Sequence, residues 1–143
     1  LKQTVDVLIE PNRKQPPNVK IEEELVDIAG SFMKKWPRMI SRVDIKKFRF
    51  AEYLYGNVVT RDDSVLRKRS IMCAGILAAS LNKQELHDLL FGKGVIGYLS
   101  ADRKTDRQGI ERRRFALQLL SNILKAQNPA VQDDGSKLLE FLQ

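Results

Sequence analysis

The residues that could carry acid–base or metal chemistry in this chain are few. His87 is the only histidine, and Asp88 follows it on a predicted helix. Adjacent residues on an α-helix point about 100° apart, so this pair does not predict a base held by an orienting carboxylate. Cys73 is the only cysteine, which leaves no second thiol for a metal site. We therefore expect a protein that is not an enzyme, with no catalytic residue, no metal, no cofactor and no small-molecule substrate.

Cationic side chains are the chemistry that the sequence does supply. Lys and Arg total 25 against 18 Asp and Glu, which gives a formal net charge of +7. Two clusters, Arg67-Lys68-Arg69 and Arg112-Arg113-Arg114, offer guanidinium groups that bind carboxylates or phosphates in a bidentate manner. This excess favours an acidic partner. Alternatively, the clusters project into solvent or pair with nearby acidic residues, which are Asp62, Asp63, Asp106 and Glu111.

A third basic region is interleaved with aromatic residues between positions 46 and 55. Aromatic rings there could stack single-stranded bases while cations contact the phosphates. The candidate nucleic-acid contacts are Lys46, Lys47, Arg49 and Tyr53. The alternative is an aromatic core stripe with a basic outer face.

Helical periodicity dominates the chain from residue 21 onward. The first predicted helix carries one apolar stripe at helical spacing, made of Ile21, Leu25, Ile28, Ala29, Phe32, Met33 and Trp36. Further helices are predicted after Asp44, ending at Gly56-Asn57, and from Ser64 to about Leu81 behind an Asp62-Asp63 cap. A short helix, a helical or strand-like "VIGYLSA", and a long helix from about Gly109 to Gln127 follow. Short helices from Pro129 onward complete the pattern.

The first twenty residues break this pattern. "TVDVLI" predicts a strand or extended piece, and the prolines at 11, 16 and 17 forbid a helix in the linker after it. We therefore expect residues 1–20 to be an extended segment with a Pro-rich linker and residues 21–143 to be one helical domain. No apolar run reaches the roughly 18 residues of a membrane span. The single cysteine favours an intracellular location, cytoplasmic or nuclear.

The long helices are related by a constant offset. Ala29-Gly30 aligns with Ala74-Gly75 at an offset of 45, and the same offset places Arg67-Lys68-Arg69 over Arg112-Arg113-Arg114. A period in the low to mid forties is typical of helical solenoids.

The stretch from 115 to 142 has a more specific pattern. It places Ala116, Leu120, Ser121, Asn122 and Ile123 on a long helix, followed by Asn128, Pro129, Gly135, Leu139 and Leu142. This order resembles the armadillo-repeat family. The resemblance implies an all-α, armadillo-like α-solenoid fragment of two to three helical repeats, preceded by the extended N-terminal segment. A non-repetitive all-α bundle is the alternative.

The resemblance also implies where a partner would bind. In the family the long third helices line a groove that holds extended peptides, and some members use a groove Asn to bond the peptide backbone. Asn122 has that position here, but Gln118 stands where those members carry Trp. We therefore expect a scaffold-type protein-interaction module that binds an acidic or phosphorylated peptide. Its candidate groove residues are Arg67, Lys68, Arg69, Arg112, Arg113, Arg114, Gln118 and Asn122. A domain that binds RNA or single-stranded DNA through the same clusters is the alternative.

Overall fold

The structure, a computed structural model, describes residues 1–9, 18–40, 46–91, 93–100 and 107–126. Seven α-helices and one 3-10 turn occur there: α1 (Lys2–Ile9), α2 (Val19–Lys35), the turn Pro37–Met39, α3 (Lys47–Val59), α4 (Ser64–Ala78), α5 (Lys83–Leu90), α6 (Val95–Ser100) and α7 (Arg107–Lys125). None of the described residues is in a strand, so the all-α prediction is confirmed for them. The predicted helices beyond residue 126 lie outside the described residues.

The prediction of an extended N-terminal segment was wrong for residues 2–9, which form α1. Val5 and Leu8, three residues apart, are both buried. That spacing puts both side chains on one helical face, where α1 packs against α2 and α3. The β-branched residues of "TVDVLI" favour a strand locally, but burial against two helices outweighs that weak preference. The Pro-rich linker falls at residues 10–17, outside the described residues.

The helix α2 is where predicted, but its buried face differs from the predicted stripe. Val26, Ala29 and Met33 are fully buried, whereas Ile21 and Ile28 are 58% and 55% exposed. Trp36, at the C-terminal end of the helix, is 46% exposed. The helix therefore carries two adjacent apolar faces, and periodicity alone cannot tell which face meets the core.

The helix α3 continues through Gly56 and Asn57, where the sequence predicted its end. The Asn57 side-chain amide donates a buried hydrogen bond of 3.1 Å to the Ser70 hydroxyl of α4. This bond satisfies a polar group inside the helix pair, so Asn57 belongs to the core rather than to a cap.

The N-terminal caps of α4 and α5 are formed by residues that are close in the sequence. Asp63 caps α4 as predicted, because its Oδ1 accepts the Leu66 amide at 2.7 Å. Asn82 and Glu85 form a reciprocal capping box at the start of α5. The "VIGYLSA" stretch, predicted as helical or strand-like, contains the helix α6.

The three long helices α2, α4 and α7 pack in sequence, with α4 in contact with both of the others. The helix α3 packs on α4 and α7, while α6 packs on α7 and α5 lies against α3 and α6. Buried positions on the long helices recur at an offset of 45. The buried sets are Val26, Ile71 and Ala116; Ala29, Ala74 and Leu119; and Met33, Ala78 and Ile123. The long helices therefore share one rotational phase relative to the core.

Candidate functional site

Two clefts lie side by side across the long helices. The first, of about 130 Å³, separates α2 from α4, and the second, of about 310 Å³, separates α4 from α7. Lys34, Met72 and Ile76 line both clefts, so the two are continuous. We call the combined surface the basic groove, and its defining residues are Lys34, Arg69, Met72, Ile76, Asn122 and Lys125.

The chemistry of the basic groove is an apolar floor with cationic edges. Met72 is exposed and Ile76 half-buried, both on α4 in the middle of the groove. Cations come from all three long helices, as Lys34, Arg69 and Lys125, against the single carboxylate of Asp27 in the lining. Small-molecule sites typically enclose roughly 300–1,000 Å³ and bury most of the ligand. The larger of the two clefts falls within that range of volume, but both clefts are open to solvent rather than enclosed.

Arg69 is one of two predicted site residues that line the basic groove. Its guanidinium lies 3.3 Å from the Glu24 carboxylate of α2. The Glu24 side chain is 65% exposed, and exposed pairs of this kind contribute little to stability. A ligand carboxylate can therefore compete with Glu24 for Arg69.

Asn122 is the second predicted residue in the lining, and part of its side chain is used within the fold. Its amide nitrogen donates to the Ile71 carbonyl of α4 at 3.3 Å. The backbone of α4 can approach because Gly75 faces Asn122 there: a Cβ on Gly75 would lie 3.2 Å from the Asn122 Cβ. Asn122 therefore joins α4 to α7, a role that the sequence pattern did not predict.

The remaining members of the two clusters are divided among different surroundings. The Arg67 guanidinium lies over the Phe115 ring, 3.9 Å from its centroid, and donates to the Arg61 carbonyl at 3.2 Å. Arg112 lies 3.3 Å from Asp62, which is the acidic pairing raised as the alternative. Arg113 is half-buried, and the exposed members are Lys68, Arg114 and Gln118. The structure therefore does not gather both clusters into one site.

The predicted nucleic-acid contacts on α3 are also divided. Lys46 is exposed and Arg49 donates to the Ile9 carbonyl at 3.4 Å, while Lys47 is half-buried. Tyr53 is half-buried and its ring stacks against Phe50. Its ring is therefore not presented to solvent as a base-stacking platform.

A cleft beside this region has mixed charge. It encloses about 390 Å³ between α3 and the end of α5, and Phe48, Tyr55 and Phe91 supply its aromatic lining. The carboxylates of Glu52 and Asp88 also line it, with Lys93 as the cation. Two carboxylates oppose the approach of a phosphate backbone, so aromatic content alone does not favour nucleic acid here.

The sequence pattern did not predict a buried polar network that joins Glu22 of α2 to Tyr53 of α3 and to Arg61 in the connection between α3 and α4. Glu22 is 1% exposed, and its carboxylate accepts hydrogen bonds from Arg61 and, at 2.9 Å, from the Tyr53 hydroxyl. Arg61 also donates to Asn57 at 3.4 Å. Burial raises the pKa of Tyr53 to about 12. The separation of 39 residues between Glu22 and Arg61 hides this pair from any local pattern.

The candidate catalytic groups do not assemble into a site. His87 packs beside Phe91, with ring centroids 4.8 Å apart, and Asp88 accepts a hydrogen bond from Gln84 at 2.9 Å. Cys73 is buried, and burial raises the pKa of its thiol to about 12. Within the described ranges, no three His, Cys, Asp or Glu side chains are placed to hold a metal ion.

The described helices also bear on the membrane prediction. None of them is both long and apolar enough to cross a membrane.

Comparisons of the chain with protein-family models, curated proteins and solved structures found no match. The resemblance to armadillo repeats therefore stays a prediction.

Proposed function

We propose that the chain is an armadillo-like α-solenoid fragment that acts as a non-enzymatic protein-interaction module. Its basic groove binds an acidic or phosphorylated peptide in an extended conformation. The observation that carries this proposal is the placement of one cation from each long helix, Lys34, Arg69 and Lys125, along one continuous groove.

The solenoid arrangement is supported by the packing of the long helices. Successive long helices contact each other, and their buried positions recur at an offset of 45. Stacked units related by a small rotation place equivalent faces side by side, which creates an extended binding surface. The basic groove crosses that surface from α2 to α7.

The groove geometry predicts the spacing of acidic residues in the peptide. Packed helices lie about 8–10 Å apart, and an extended chain rises about 3.3 Å per residue. A peptide that crosses α2, α4 and α7 therefore passes one helix about every three residues. We expect acidic or phosphorylated residues at that interval, with apolar side chains over Met72 and Ile76.

Nucleic-acid binding is the second candidate, and the exposed cations outside the groove favour it. Lys68 on α4 and Arg114 on α7 are exposed outside the lining of the basic groove, and the chain carries a net charge of +7. Polyanions bind such dispersed charge through many phosphate contacts, and the affinity falls steeply with salt. Peptide binding and nucleic-acid binding are therefore distinguished by whether the affinity depends mainly on the cations of the basic groove.

Titration of labelled ligands, read by fluorescence anisotropy, tests the proposal. The ligands are a peptide with Glu or phosphoserine at every third position, a scrambled peptide of the same charge, and single-stranded RNA. We expect the spaced peptide to bind best. The double variant Arg69→Glu, Lys125→Glu should weaken it by about 100-fold, since each reversal costs on the order of tenfold.

The matched control is Arg107→Glu combined with Lys68→Glu, which changes the net charge by the same amount. Arg107 is 92% exposed in the first turn of α7 and does not line the basic groove. Lys68 is an exposed residue of α4. We expect this control to weaken peptide binding by less than about threefold. Equal losses in both double variants, together with tighter RNA binding, would favour the nucleic-acid alternative and refute the groove proposal.

A further inference from the structure

An apolar stripe on α2 lies outside the core and outside the basic groove. We call it the α2 stripe, and it consists of Ile21, Leu25, Ile28, Phe32 and Trp36. These residues follow the spacing of one helical face over about four turns. The rings of Phe32 and Trp36 lie 5.0 Å apart, so they form a continuous surface. Three of the five members are exposed, and Leu25 and Phe32 are half-buried.

The equivalent face of α4 is an interhelical contact. The offset of 45 relates the α2 stripe to Leu66, Ser70, Cys73, Leu77 and Leu81, all of which are buried. The Cys73 side chain meets the preceding long helix at Gly30, where a Cβ on the glycine would lie 3.7 Å from the Cys73 Cβ. This face of α4 therefore packs against α2 at Cys73 and against α3 at Ser70, which accepts a hydrogen bond from Asn57.

The equivalent face of α7 is only partly in contact with α4. A second step of 45 reaches Phe115 and Asn122, which correspond to Leu25 and Phe32. Asn122 touches α4 at Gly75, and Phe115 lies beneath the guanidinium of Arg67. The counterparts of Ile21 and Ile28 on α7 are Glu111 and Gln118, which are polar and exposed. This face is therefore buried on α4 and only partly in contact on α7.

On α2 the same face has no long helix against it among the described residues. The helix α1 contacts α2, but it is only eight residues long and also packs against α3. Gly30, which faces α4, lies on the side of α2 roughly opposite Ile28 and Phe32. The α2 stripe therefore exposes apolar side chains at positions whose counterparts on α4 are all buried and whose exposed counterparts on α7 are polar.

We propose that the α2 stripe is a docking face for a long helix, and that a second copy of this chain supplies that helix as its own α2. The two α2 helices pack antiparallel, stripe against stripe. Identical patches in a two-fold pair are self-complementary, as this arrangement requires. The inference does not depend on the basic groove, which lies on the α4 side of α2.

The charges that border the stripe favour the antiparallel orientation. Glu24 borders its N-terminal half and Lys35 its C-terminal half, and both are exposed although Glu24 pairs with Arg69 of α4 and Lys35 lies over the Trp36 ring. An antiparallel pair places Glu24 of each copy near Lys35 of the other, whereas a parallel pair places like charges together. Like-charge contacts across an interface oppose association, so only the antiparallel pair is favoured.

Sedimentation equilibrium and intrinsic fluorescence test the proposal on the whole chain. Trp36 is the only tryptophan and stands at one end of the stripe, so its emission reports burial of this surface alone. We expect a monomer–dimer equilibrium with a dissociation constant on the order of 1–100 µM, because one helix face is a small interface. The Trp36 emission should shift to the blue, and acrylamide quenching should fall, over the same concentration range.

Substitutions locate the interface. Ile28→Glu places a charge in the middle of the stripe and should raise the dissociation constant by about tenfold or more. Leu117→Glu, at an exposed apolar position of α7, is the matched control and should change it by less than about twofold. Circular dichroism checks that both variants retain their helix content.

A charge exchange tests the orientation without replacing any of the five stripe residues. Glu24→Lys and Lys35→Glu should each weaken the dimer, and the double variant should restore it to within about threefold of the original. A chain that stays monomeric with a concentration-independent Trp36 signal would overturn the proposal. So would a dimer that Leu117→Glu weakens as much as Ile28→Glu, because the contact would then lie elsewhere. A monomer whose Trp36 already resists quenching would mean that the chain itself covers the stripe, which also overturns it.

Discussion

Removal of the Arg61 guanidinium tests the buried network between α2 and α3. Arg61→Met keeps an unbranched stem of similar packing but removes the guanidinium that pairs with the Glu22 carboxylate, which is 1% exposed. The Tyr53 hydroxyl still donates to that carboxylate at 2.9 Å. The pair of Arg61 with Glu22 and the hydrogen bond of Tyr53 to Glu22 both join residues that are far apart in the sequence.

The magnitude follows from burial at the two ends of the pair. Loss of one partner of a buried pair typically costs about 3–5 kcal/mol, because the other charge stays desolvated and unpaired. The Arg61 side chain is 30% exposed, so water can reach the vacated position and recover part of that cost. With Tyr53 still bonded, we expect Arg61→Met to lower the free energy of unfolding by about 2–3 kcal/mol.

Urea denaturation followed by circular dichroism measures the loss. The matched control is Arg69→Met, which removes a guanidinium from the exposed pair with Glu24 and should cost less than about 1 kcal/mol. Adding Glu22→Gln to Arg61→Met should recover more than about 1 kcal/mol, since a neutral amide oxygen can still accept from Tyr53. Equal costs for the two arginine variants, or no recovery in the double variant, would refute the assignment of a stabilising buried pair.

Three further predictions concern the packing and capping of the long helices. Leu120→Ala should cost about 2–5 kcal/mol in the same urea assay, because the side chain is buried on α7; a loss below about 0.5 kcal/mol would place that side chain at the periphery. Gly30→Ala should stabilise the chain by about 0.5–1 kcal/mol, since the added methyl makes only ordinary contact with α4. Gly75→Ala should instead destabilise it, because the methyl lies 3.3 Å from a backbone carbonyl oxygen of α7, and a thermal midpoint raised by both alanines would contradict the close approach. The hydrogen bond from the Leu66 amide, at the N-terminus of α4, holds the pKa of Asp63 below its usual value. The stability that the ionised Asp63 contributes is therefore present above about pH 4 and is lost as the pH falls through its lower folded-state pKa. Asp63→Asn retains a cap but should flatten that part of the stability–pH curve, and an unchanged slope would show that other acids produce it.

Local signals in the sequence determined most of the helices and several of their ends. Asp63 caps α4 because its carboxylate reaches amides within the next turn, and such a contact needs no distant residue. The offset of 45 between the long helices was also visible in the sequence, and three sets of buried positions follow it. The two basic clusters were found as residue types, and Arg69 and Asn122 do line the basic groove.

Tertiary packing decided what local pattern could not. The α1 segment has β-branched residues, yet Val5 and Leu8 are helical because two other helices cover them. On α2, periodicity identified apolar positions but not their neighbours, so Ile28 and Met33 were equivalent in sequence and differ in burial. The sequence did not identify Lys34 as a groove residue, because the packing of α2 beside α4 forms that surface. Periodicity determines the direction in which a side chain points from its own helix axis. The burial and the pairing of that side chain depend on which other helices lie in that direction.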